Sequence, residues 1–132
     1  MKTLLTIICL LFAASTQAQH LNQVYKVDQL GKFHINSQDK PVLENKFDDP
    51  GVTIELTEFE IKLYWEETET EVVFNSRLND VFVVENSKSY EFVSTDDPDT
   101  TMYFDFNKST GIAEGYIKSP RNRITYYFKF RF

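Results

Sequence analysis

Apolar and polar residues alternate with period two along most of the chain beyond its first eighteen residues. In VTIELTEFEIKLYW (52–65), Val52, Ile54 and Leu56 fall on one face, and Phe59, Ile61, Leu63 and Trp65 resume the alternation after a phase change at Thr57-Glu58. Successive side chains of a strand point to opposite faces, so the pattern predicts two half-buried strands joined by a tight turn or bulge. The same reading predicts strands at 24–27, 32–35, 72–74, 81–84, 90–93, 102–106, 112–118 and 124–132. No segment after residue 18 carries helical periodicity.

The connectors carry turn chemistry. NKSTG (107–111) puts Gly111 where a bulged hairpin needs positive φ, SPRN (119–122) has Pro120 with its fixed φ, and NSKS (86–89) separates two short apolar runs. Strands joined in this way pair as neighbours, which gives an all-β, antiparallel meander of roughly eight to ten strands in one domain. Such a meander is expected to close into a β-barrel, because closure removes exposed edges; a two-sheet β-sandwich is the alternative. NSQDKPVLENKFDDPG (36–51) is the longest stretch without clear strand character. It reads as a solvated loop, or as a lid in which Val42, Leu43 and Phe47 cover a barrel mouth.

The start of the chain, MKTLLTIICLLFAASTQAQ, adds a cellular route. Lys2, the apolar run 4–14, and Thr16 and Ala18 placed for a signal peptidase predict a secretory signal peptide over 1–18 and a mature domain over 19–132. The run is shorter than the ~20 residues of a spanning helix. The only cysteine, Cys9, lies inside it, so the mature domain is expected to hold neither a disulfide nor a thiol nucleophile and to reside in the periplasm or outside the cell. All phenylalanines but Phe12 remain, with 7 Tyr and Trp65, so the core is expected to be aromatic.

The last nine residues, ITYYFKFRF, place Ile124, Tyr126, Phe128, Phe130 and Phe132 on one face and Thr125, Tyr127, Lys129 and Arg131 on the other. This ending resembles the final strand of bacterial outer-membrane barrel proteins, which alternates apolar residues and stops on phenylalanine. The resemblance implies a lipid-facing barrel. Strand length argues the other way: 81–84 and 90–93 fall far short of the ~9–11 residues of a crossing strand, and Asp80, Glu85 and Glu91 interrupt any lipid-facing band. Membrane insertion is therefore not expected, and the even-numbered face of the last strand is expected to be buried. In architecture alone, a small exported barrel is similar to lipocalin-type binding modules. No Gly-x-Trp occurs near the first strand, so the analogy assigns no residue roles.

Charge and chemistry narrow the function. With Lys2 in the leader, 13 of the 14 basic residues remain against 20 acids. Residues 44–99 hold 16 acids against Lys46, Lys62, Arg77 and Lys88, whereas 107–132 hold six bases against Glu114. Acidic and basic strands are expected to pair across the sheet; the sharper reading is an anion site of Arg121, Arg123, Lys129 and Arg131. Nucleic acid is not expected as a partner of an acidic exported domain, although Tyr126 and Tyr127 could stack on bases. Only His20 and His34 exist, which leaves too few ligands for zinc, and no Gly-x-Ser-x-Gly turn or glycine-rich phosphate loop occurs. His20, two residues past the expected cleavage site, should be mobile.

EETETE (66–71) and DDPD (96–99) could supply paired carboxylates or calcium ligands, but both fall where turns do and read as solvated. DFNKSTGIAE (105–114) misplaces Gly111 and Glu114 for a calcium loop and reads as a hairpin. No cofactor, metal or catalytic group is expected. Trp65 closes one end of the core or, with Tyr64, lines a barrel mouth. The resulting expectation is an exported, non-enzymatic β-barrel that binds a small apolar or amphipathic ligand, with Tyr64, Trp65, Phe47, Arg121 and Arg123 as candidate contacts. The alternative is a structural, interaction or inhibitor-type protein that meets a protein partner through an exposed strand edge or its acidic surface.

Overall fold

Nine strands and no helix form over residues 20–132, which a computed structural model describes. The signal peptide expected over 1–18 lies outside the described residues. The strands are β1 (Gln23–Ile35), β2 (Pro41–Asp48), β3 (Val52–Leu56), β4 (Glu60–Trp65), β5 (Thr70–Val84), β6 (Ser87–Ser94), β7 (Thr101–Asn107), β8 (Ile112–Ser119) and β9 (Ile124–Arg131). From β3 to β9 each pairs antiparallel with the next, and β1 pairs with both β3 and β9. Eight strands thus close a barrel, with β2 as an extra strand beside it.

Two long strands make the closure. The first part of β1 (23–26) pairs with β3, and its remainder (27–34) pairs with β9. In β5, residues 70–75 pair with β4 and residues 76–84 with β6. Register shifts around Asp28 and Asn79 add an unpaired residue to each. A bulge bends and twists a strand, which here lets one strand serve both walls. It also resets the alternation, so the sequence shows 24–27 and 32–35, and likewise 72–74 and 81–84, as separate strands.

The expectation of a loop or lid at 36–51 is corrected. This stretch contains β2, paired with β1 from Gln29↔Asp48 to Ile35↔Pro41. All eight of its residues are exposed, and a bulge at Glu44 breaks the period, so neither burial nor alternation marks it in the sequence. Asp49 (φ 49°), Pro50 and Gly51 (φ 69°) then turn the chain so that β3 takes over the same edge of β1. The guanidinium of Arg123 fastens the β1–β2 turn, donating to the carbonyls of Ile35 and Asn36 and to the Asp39 carboxylate.

One face of every wall strand points inward. Val27, Ile54, Leu56, Ile61, Tyr90, Phe92, Met102, Phe104, Phe106, Phe128 and Phe130 are fully buried there. Phe92 meets Phe104 edge-on, and Phe106 meets Phe130, with centroids 6.3 and 5.8 Å apart. Each such ring contributes about 1.5–3 kcal/mol by burial. Gly115 faces inward between Phe104 and Phe128; a Cβ there would run into the Phe104 ring and the Tyr103 carbonyl. In β9, Phe128 and Phe130 are buried while Lys129 and Arg131 lie on the outer face, where Arg131 pairs with Asp28 at 3.2 Å. The apolar face of ITYYFKFRF seals the core.

Candidate binding site at the open end of the barrel

The two ends of the barrel are built differently. At the end where β1 begins, residues 20–22 fold across the core. The His20 ring stacks on Phe106 with centroids 4.2 Å apart, meets Phe132 edge-on, and its Nδ1 is hydrogen-bonded to the Tyr90 hydroxyl at 2.9 Å. Tyr25 donates its hydroxyl to the His20 carbonyl (2.8 Å), and the Asn22 amide donates to the Leu56 carbonyl. The expectation of a mobile His20 is therefore corrected: an aromatic surface left at the barrel's end takes a flat ring as its cover. Burial pushes the His20 imidazole down to about 4, with Lys88 and Lys108 adding to the effect, and burial raises the Tyr25 phenol to about 12.

The opposite end has no such plug among the described residues. Residues directly opposite in an antiparallel pair share a face. By that rule Trp65 (opposite Val52), Val72 (opposite Leu63) and Phe74 (opposite Ile61) point inward, yet Trp65 and Phe74 are only half-buried and Val72 is exposed. Tyr126, opposite Ile117, and Ile124, opposite Ser119, continue this partly uncovered inner face on the other wall.

A pocket of about 350 Å3 opens here. Its apolar wall is Val73, Phe74, Ile117, Ile124 and Tyr126, and its polar ledge is made by Ser94 at the end of β6 with Asp96, Asp97 and Thr100 from the β6–β7 loop, and by Ser119 at the end of β8 with Asn122 from the β8–β9 turn. The ledge is held rigidly. The Ser94 hydroxyl accepts the amides of Asp96 and Asp97, and the Asp97 carboxylate accepts the Thr100 hydroxyl (2.9 Å) and the Asp99 amide. Asn75 donates its side-chain amide to Asp96.

A larger depression of about 520 Å3 lies on the outer wall, lined by Asp28, Asp48, Asp49, Lys129 and Arg131 among others. Five of its eight lining residues are charged, and it contains the Arg131–Asp28 pair.

Trp65 points toward the interior at the open end but does not line the pocket there. Tyr64, the preceding residue, points outward and borders a shallow outer-face depression with Lys62 and Glu71. Phe47 lies on the projecting β2, opposite Leu30, and is half-exposed. Arg123 is engaged with the β1–β2 turn, and Arg121 is exposed on the β8–β9 turn. Phe74, Ile117 and Tyr126 stood in predicted strands, but depth along a barrel is set by the stagger between strands, which no single strand displays. Asp96 and Asp97 read as a solvated turn because their ledge is completed by residues from another hairpin. No group of three or more His, Cys, Asp or Glu positioned to hold a metal ion occurs among the described residues.

Compared with known protein families and with curated proteins, the chain matches neither a family model nor a curated relative.

Proposed function

We propose that this protein is an exported, non-enzymatic β-barrel that binds a small apolar or amphipathic molecule at its open end. The observation that carries the reading is the pocket of about 350 Å3, whose apolar wall continues the core at one end of a barrel plugged at the other. That volume lies within the roughly 300–1,000 Å3 of ordinary ligand sites. Because Phe92, Phe104 and Phe128 fill the middle of the barrel, a ligand would sit at the mouth rather than along the axis. The leader pattern supports export. A water-facing wall is supported by β9, whose outer face carries Lys129 and Arg131 while its phenylalanines turn inward, the reverse of a membrane barrel.

The test is to express the chain with its own leader in a Gram-negative host, recover the exported protein and compare its native mass before and after organic extraction. The expected result is a soluble protein carrying an extractable extra mass. Bare polypeptide mass, with no uptake of added amphiphiles, would count against the reading.

One observation favours the protein-partner alternative. Backbone pairing of β5 on the β4 side ends at Leu78, so among the described residues 80–84 presents a free edge, and Phe82, Val83 and Val84 there are 43%, 71% and 67% exposed. A partner strand could add to that edge. Under this reading Val83→Lys removes an association that ligand uptake does not depend on.

A further inference from the structure

The polar ledge specifies more than an amphipathic ligand. Asp96 and Asp97 stand at the rim of the open-end pocket, and among the described residues neither forms an ion pair with a lysine or arginine. Of the basic side chains on the neighbouring strands, Lys32 pairs with Glu44 at 3.6 Å and Arg123 with Asp39 at 3.3 Å, while Arg77 and Lys118 are exposed and make no ion pair with either acid. Arg121 sits on the β8–β9 turn but does not line the pocket. The hydrogen bonds from Thr100 and Asp99 to the Asp97 carboxylate, and from Asn75 to Asp96, fix the direction of both acids without neutralising them.

A second feature lies on the same inner face. Ser76, directly across the strand pair from Ser94, keeps a buried hydroxyl oxygen with no partner among the described residues. Ser76 is buried and does not itself line the pocket, where Ser94 stands instead, so its hydroxyl is not a contact for a ligand there. The apolar wall of Phe74, Ile117 and Tyr126 lies alongside this ledge, and Tyr126 offers a ring face that attracts cations as well as alkyl groups.

We infer that the open end takes an amphipathic cation: an ammonium group held at the Asp96–Asp97 ledge, with its alkyl or aryl part against Phe74, Ile117 and Tyr126. The inference rests on the reading of this end as a binding site and names the chemistry of its ligand. A free carboxylate amphiphile meets two negative charges at the same place and is disfavoured.

Calorimetric titration of the full mature protein with octylammonium, octanol and octanoate separates the two claims. Octylammonium is expected to bind about tenfold tighter than octanol, with octanoate weakest. The preference should shrink at about 1 M salt, where the Debye length is roughly 3 Å. Asp96→Asn, which keeps an acceptor for Asn75, should weaken octylammonium about three- to fivefold, as expected of an exposed charge pair, and leave octanol unchanged. Equal binding of octanol and octylammonium, or no response to Asp96→Asn, overturns the cation assignment while the binding site stands. If none of the three binds, the reading of the open end fails with it.

Discussion

The two ends of this barrel are made from similar residues put to opposite use. At the closed end, Phe106, Tyr90 and Phe132 are covered by the His20 ring from the N-terminal segment, whose Nδ1 is hydrogen-bonded to the Tyr90 hydroxyl while its buried Nε2 has no partner among the described residues. At the open end, Trp65, Phe74 and Tyr126 face the same interior but stay partly uncovered, Phe74 and Tyr126 beside a ledge of hydroxyls and carboxylates. Aromatic content therefore does not distinguish stability from recognition in this molecule. What distinguishes them is whether a further segment reaches across.

The largest effect that sharpens this contrast is a truncation in the packed half. Phe104→Ala should cost about 3–5 kcal/mol in urea unfolding, since the ring is fully enclosed. Tyr126→Ala at the open end should cost less than half as much, while weakening amphiphile binding. Comparable losses from both would erase the distinction between a sealed and an open end.

Next in size is Gly115→Ala. Its methyl group would press on the Phe104 ring and the Tyr103 carbonyl, and overpacking of this kind costs about 1–3 kcal/mol. A thermal melt no lower than that of the parent would mean that the aromatic packing gives way more readily than described.

The closed end also predicts a pH response. The unfolded chain takes a proton at His20 near the ordinary 6.5, whereas the folded imidazole resists it down to about 4. The unfolded state thus binds more protons in that window, so His20's contribution is complete above pH 6.5 and is lost as pH falls toward 4. Comparing thermal stability across that range with His20→Phe, which keeps a ring over Phe106, isolates the effect: the variant should lose the part of the acid sensitivity due to His20. Identical pH profiles would place the imidazole in water.

The smallest effect belongs to the projecting strand. Arg123→Ala removes exposed contacts to the β1–β2 turn and should change stability by less than about 1 kcal/mol. It should leave both ends of the barrel unaltered, as judged by the His20 pH response and by amphiphile binding.

Much of the wall was legible in the sequence because β3, β4, β7 and β8 are buried on one face only, and their alternation records it. β2 left no such record, being exposed on both faces and interrupted at Glu44. β1 and β5 each looked like two strands because a bulge shifts the phase midway. The plug was hidden because a histidine beside an expected cleavage site carries no sign of the Phe106 ring that receives it. Trp65 was visible as the last apolar residue of its strand, and it faces the open end without lining the pocket. Its pairing with Tyr64 dissolved because consecutive strand residues point to opposite faces. The pocket draws on four separate strands and two loops, and only the registers bring them together.

The most direct test of the account is an amide NMR titration of the mature protein with octylammonium. The account predicts shifts concentrated at Phe74, at 94–100, and at Ile117, Ile124 and Tyr126, with Tyr90, Phe106 and Phe130 undisturbed. Shifts confined to 80–84 or to the closed end, or none at saturating amphiphile, would contradict it.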